Sequence, residues 1–146
     1  MKLIIMRHGQ AGLNAPSDAE RPLTEQGRQQ AASTAKKLQH LCPATRVLAS
    51  PYLRAQQTGS IVAETMSLPL ETLDAIVPEG NPFAVIEVLP DSGVILLASH
   101  MPLVSALTGL LCEGSVNHGP SFSTGSAVVL EMPAPGIGTA TLLHSI

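Results

Sequence analysis

Met1-Lys2-Leu3-Ile4-Ile5-Met6-Arg7-His8-Gly9 opens the chain, and the reading of this stretch decides the fold. Leu3 to Met6 is a short apolar run, stopped by a cation, an imidazole and a glycine. Such a run predicts a parallel strand covered on both faces by helices. Open α/β sheets place their ligands at the carboxyl ends of such strands. Arg7 and His8 therefore stand where a binding crevice is expected, and Gly9 allows a turn there without a Cβ clash.

The pattern recurs along the chain. Residues 46–49 read as a second strand, with Ser50 capping the next helix, Pro51 in its first position and Arg54 in its first turn. Residues 94–98 are the clearest strand; Ser99-His100-Met101-Pro102 and an apolar helix over 103–112 follow it. Between these, residues 10–21 form a polar loop long enough to fold over a crevice. Thr24 caps a helix whose Ala31, Ala35, Leu38 and Leu41 share one face, and Pro43 ends it. Residues 69–73 are extended, 74–82 loop-like and 83–89 helical. Two final strands, 125–132 and 139–146, flank a Pro/Gly connection. This alternation predicts a three-layer α/β/α sandwich over a single domain, residues 1–146, with a mostly parallel sheet and an antiparallel carboxyl-terminal edge.

Composition narrows the function. The net charge of −3 carries no electrostatic footprint for nucleic acid or anionic lipid, and aromatics at 2% provide no platform for stacking bases. Mean hydropathy of +0.26 argues for a packed core. No apolar stretch reaches the roughly 20 residues of a membrane span, and the amino terminus is a strand rather than a signal peptide. Cys42 and Cys112 lack metal-type spacing and are expected as reduced thiols in a cytoplasmic protein. Two histidines without HxH or HExxH spacing do not make a zinc site, so no metal and no cofactor are expected.

Three strand ends thus deliver Arg7, His8, Arg54 and His100 to one edge of one sheet. Guanidinium groups hold phosphoryl oxygens through a planar, permanently charged fork, and exposed helix N–H groups add to the attraction. Taken singly, each residue has a structural reading; together they describe an anion pocket.

At this point the chain resembles the histidine phosphatase superfamily, the phosphoglycerate mutase-like or RHG enzymes. The resemblance rests on Leu3-Ile4-Ile5-Met6-Arg7-His8-Gly9, on Arg21-Pro22-Leu23-Thr24-Glu25-Gln26-Gly27, on Ser50-Pro51-Tyr52-Leu53-Arg54-Ala55-Gln56-Gln57-Thr58 and on Ser99-His100-Met101-Pro102. The short length, compact middle and Thr124-Gly125-Ser126-Ala127-Val128 ending are similar to the SixA-type phosphohistidine phosphatases. The resemblance implies that His8 attacks phosphorus and becomes a phosphohistidine, with Arg7, Arg54, His100 and Gly9 around the phosphate and Arg21 as a further contact. It leaves the proton donor open among Glu79, Asp18 and none. The expected partner is a phosphorylated protein, such as a phosphorelay domain, met by a monomer. The alternatives are a phosphatase for small phosphate esters with Glu79 as acid, and a non-catalytic phosphate-binding module.

Overall fold

The computed structural model describes residues 1–146. In chain order the elements are β1 (Lys2–Arg7), α1 (Glu25–Leu41), β2 (Arg46–Ala49), α2 (Leu53–Thr65), β3 (Leu70–Thr72), α3 (Pro82–Val88), β4 (Val94–Ser99), α4 (Leu103–Glu113), β5 (Ala127–Glu131) and β6 (Thr141–Ser145). They form one six-stranded sheet in the order β3-β2-β4-β1-β5-β6. The first four of these positions are parallel; β5 runs antiparallel to β1, and β6 antiparallel to β5. The expected antiparallel edge is therefore present.

Alternation along the strands builds two cores, because successive side chains point to opposite faces. Leu3, Ile5, Ile95 and Leu97 face α3 and α4, where Val85, Leu103, Leu107 and Leu111 meet them. Ile4, Met6, Leu96 and Ala98 face α1 and α2, where Ala31, Ala35, Leu38 and Val62 meet them. Burying each of the larger aliphatic side chains contributes about 1.5–3 kcal/mol. Cys42 belongs to the second core and Cys112 packs against the first, so the two free thiols lie on opposite faces of the sheet.

This layering sets the site. β1 and β4 are neighbours, with Arg7 opposite Ser99, and β2 lies on the far side of β4. Their carboxyl ends therefore meet at one edge, where the chain continues as Arg7-His8, His100 and Ser50. Thr24 caps α1 as expected, its side chain accepting from the Gly27 amide. Ser50 does not cap α2. That helix starts at Leu53 with Tyr52 as its cap residue, and the Ser50 hydroxyl accepts from the Tyr52 amide in a tight turn before it.

Candidate active site

The backbone that carries Arg7 and His8 is clamped from both sides. The Arg7 amide donates to the Ser126 carbonyl and the His8 amide to the Ser99 carbonyl, both at 2.9 Å. The Gly125 amide donates in turn to the carbonyls of Arg7 and His8. Gly9 comes next, and its reason differs from the expected turn. It is not among the glycines in the left-handed region. A Cβ there would stand 2.3 Å from the Gly27 carbonyl oxygen, and one on Gly27 would stand 2.1 Å from that of Gln10. The loop after β1 and the first turn of α1 thus meet backbone to backbone. Gly9 has no amide free for a phosphate, since its N–H donates to Thr58 Oγ1 at 3.1 Å.

The Gly9 carbonyl does something else. It lies 2.7 Å from His8 Nδ1, and a carbonyl only accepts, so the proton of neutral His8 sits on Nδ1. Nε2 is left with a lone pair, which receives the Arg54 Nε–H at 3.3 Å. His8 is 8% exposed, and its pKa is pushed down to about 4. Burial is the main cause; the Gly9 hydrogen bond opposes it, and the cations Arg54, Arg7 and Arg21 reinforce it. His8 is therefore a neutral imidazole at neutral pH.

His100 stands 5.1 Å from His8, centroid to centroid. Its Nε2 is 2.7 Å from Ser50 Oγ, and the Tyr52 ring packs edge-on against it. Its pKa falls to about 3, first through burial and then through His8 and Arg54, against a small opposing pull from Asp18. Arg54 is nearly buried; its guanidinium lies over the Tyr52 ring. NH1 donates to the Asp18 carbonyl at 2.6 Å and NH2 to its carboxylate at 3.1 Å. Arg7 donates through NH1 to the Phe122 carbonyl at 2.7 Å.

Two buried side-chain polar atoms in the molecule have no hydrogen-bond partner, Arg7 Nε and His100 Nδ1. Buried polar atoms are ordinarily paired, so an unpaired one needs a reason. Here both belong to residues beside His8; Arg7 Nε is a permanent donor to an oxyanion, and His100 Nδ1 is one whenever it carries the ring proton.

A profile of the histidine phosphatase superfamily (branch 1) matches residues 3–77, the stretch that contains Arg7, His8, Arg21 and Arg54. This chain belongs to the histidine phosphatase superfamily. Phosphohistidine phosphatase SixA of Escherichia coli K12 is 37% identical over 147 residues, which cover 95% of this chain and 90% of the relative. A SixA homologue of Haemophilus influenzae is 40% identical over 126 residues, 76% of this chain and 77% of its own. Among solved structures, SixA complexed with tungstate superposes with a TM-score of 0.87 at 33% identity, across 100% of this chain and 96% of that one. A phosphoserine phosphatase of Entamoeba histolytica, 16% identical over 99% of this chain and 95% of its own with a TM-score of 0.74, shares the fold.

Against the superfamily pattern the residues sort clearly. Arg7, His8, Arg54 and His100 come together as the sequence predicts. Asp18 is no acid: Arg21 and Arg54, hydrogen-bonded to its carboxyl, hold it below the usual carboxylate range, so it is ionised at neutral pH. Arg21 spends Nε on the Gly12 carbonyl and NH1 on Asp18, which braces the loop. Glu79 is exposed and makes no hydrogen bond or ion pair. Its loop is tied beside His100, because Ser99 Oγ donates to the Ile76 carbonyl at 2.7 Å. In the sequence Thr58 is only the last residue of the motif that begins at Ser50. Its hydroxyl also donates to the Arg54 carbonyl at 2.8 Å while accepting from Gly9, which locks α2 to the loop of His8. The Ser-Pro-x-x-Arg-x-x-x-Thr spacing was the available signal, since it puts Arg54 and Thr58 one turn apart.

Proposed function

We propose that this protein is a phosphohistidine phosphatase that takes the phosphoryl group from a histidine of a phosphorylated protein. His8 Nε2 attacks phosphorus in line, the P–N bond to the substrate imidazole breaks, and that imidazole leaves with a proton. Water then attacks phospho-His8, releasing inorganic phosphate and regenerating the free imidazole. Arg7, Arg54 and His100 hold the non-bridging oxygens throughout, where preorganised donors stabilise the charge of the transition state. The Gly9 carbonyl keeps the Nδ1 proton of His8 in place and so reserves Nε2 for phosphorus.

The observation that carries the substrate class is the state of the carboxyls. An alkoxide leaving group needs a strong proton donor, and Asp18 is held ionised while Glu79 is exposed with no partner to aim it. An imidazole leaving group is readily protonated and needs neither. SixA similarity over almost the whole chain supports the same reading. A cytoplasmic monomer fits it, with both cysteines free and no helix long and apolar enough to cross a membrane. For small phosphate esters, Glu79 remains the acid available.

The test is phosphate release from a phosphohistidine-bearing phosphorelay protein, set against small phosphomonoesters at matched concentration, for wild type and His8→Ala. A His8-dependent kcat/KM that strongly favours the phosphoprotein is expected. Preference for an ester would overturn the substrate assignment. Equal background from wild type and variant would instead leave a phosphate-binding module.

A further inference from the structure

His8 and His100 lie ring beside ring, 5.1 Å apart, and for His8 the Gly9 carbonyl dictates which nitrogen carries the proton. For His100 the partner is a hydroxyl, which both donates and accepts, so the tautomer has to be read from the hydroxyl's own hydrogen bonds. Ser50 is fully buried. Its oxygen already accepts the Tyr52 N–H at 3.2 Å. The sole remaining partner of that oxygen is His100 Nε2 at 2.7 Å. Were the proton of His100 on Nε2, the Ser50 hydroxyl would receive two donors and have no acceptor for its own hydrogen. Were the proton on Nδ1, the hydroxyl would donate to the Nε2 lone pair and every hydrogen would be used. A buried donor without an acceptor is the costlier arrangement.

We infer that Ser50 is a positioning residue that holds neutral His100 in the Nδ1–H tautomer, so that the nitrogen left for the pocket donates to a phosphoryl oxygen. His100 Nδ1 is one of the two unpartnered buried side-chain atoms of the molecule, which agrees with a donor kept for a ligand. The other tautomer would turn a lone pair toward the same oxygen and repel it. The low proton affinity of His100 points the same way, since an imidazole neutral at working pH donates only through the nitrogen its neighbour assigns. The two histidines are then the same tautomer used oppositely. His8 offers its Nε2 lone pair to phosphorus, and His100 offers its Nδ1–H to oxygen.

This goes beyond the choice of substrate, because the oxygens of the transferred group are common to every leaving group. It also concerns the free enzyme, where it is read without any substrate. The experiment is long-range proton–nitrogen correlation NMR of the full chain at pH 7, labelled with ¹⁵N-histidine. The chain has five histidines, and the signal lost in His100→Asn assigns the one of interest. Wild type is expected to show a protonated Nδ1 and a pyridine-like Nε2 for His100. Ser50→Ala should shift that signal toward the Nε2–H form. Its kcat should fall about tenfold to a hundredfold on phosphoprotein and phosphomonoester alike, with a smaller change in KM. Ser50→Thr, which keeps the hydroxyl, should recover the tautomer and much of the rate.

An Nε2–H or doubly protonated His100 in wild type would overturn the inference, whatever the variants do. So would a tautomer that survives Ser50→Ala, or a kcat that does not respond to its loss. Should either Ser50 variant fail to fold, the wild-type spectrum decides by itself. A preference for small esters would overturn the proposed substrate and leave the tautomer untouched.

Discussion

His8 and His100 stand on one side of the pocket, Asp18 and Arg21 on the other, and different forces hold the two sides. The histidines are buried at the ends of β1 and β4, fastened by sheet hydrogen bonds and by short contacts to Gly9 and Ser50. Asp18 and Arg21 lie on the loop after β1 and are held by an ion pair whose side chains are 58% and 27% exposed. Exposed pairs of this kind contribute about 1 kcal/mol at most and weaken with salt. Arg54 joins the sides, touching His8 through Nε and Asp18 through NH1 and NH2. The chemistry and the anion-holding groups are thus entrusted to the sheet ends and α2, while the loop only braces Arg54 from outside.

Changes on the sheet side should be the most damaging. His8→Ala is expected to abolish turnover, a loss on the order of 10⁵–10⁶-fold judged from other covalent catalysts. It should also remove the acid-labile phosphoenzyme seen by rapid quench with labelled substrate; a phosphoenzyme that survived would place the nucleophile elsewhere. Arg54→Ala, which cuts the link between the sides, is expected to cost about a hundred- to thousandfold in kcat. Steady-state kinetics would show it, and a loss confined to KM would make Arg54 a docking residue only. Glu79→Gln should lower phosphomonoester hydrolysis by about a hundredfold while leaving phosphoramidate hydrolysis near wild type. Equal losses on both would remove the leaving-group argument.

The pH dependence sharpens the contrast. In the folded chain His8 titrates at about 4 and His100 at about 3, both below the ordinary histidine value of 6.5. Below pH 6.5 the unfolded chain takes up protons that the folded chain refuses. Stability is thus fully present above 6.5 and falls as pH drops toward 4, by about 1.4 kcal/mol per pH unit for each group. Urea unfolding across pH 4–7 would test this, and His100→Asn should flatten the slope. The loop side should give the smallest effect. Asp18→Asn removes a carboxylate that competes for Arg54, so inorganic phosphate should bind about threefold tighter. Weaker binding, measured by competitive inhibition, would make the carboxylate a net support of Arg54 instead.

Much of this was legible in the chain itself. Three apolar strands followed by Arg7-His8, Ser50 and His100 fall out of hydrophobic runs, and the parallel sheet then brings those ends together. What stayed hidden depends on closure in space. The partner of Arg7 is a carbonyl at Phe122, 115 residues away, and no local pattern announces it. Asp18 reads as a loop carboxylate until the loop folds back, when the two arginines around it remove its use as an acid. Ser50 has the composition of a helix cap, but its hydroxyl serves the Tyr52 amide in a turn and His100 across the sheet edge, and α2 begins at Leu53, two residues beyond the expected start.

The contact between Gly9 and Gly27 reaches further than geometry. Thr24 binds the Gln10 carbonyl through its amide, and Gln30 holds the Gln10 amide, so the first turn of α1 and the loop of His8 are fastened at several points. Segments fastened at several points are expected to open together. Fraying of a helix end is an ordinary, frequent motion. Here a frayed first turn would also slacken the Gly9 carbonyl that holds the His8 proton in place, so a helix that carries none of the chemistry helps to keep His8 armed.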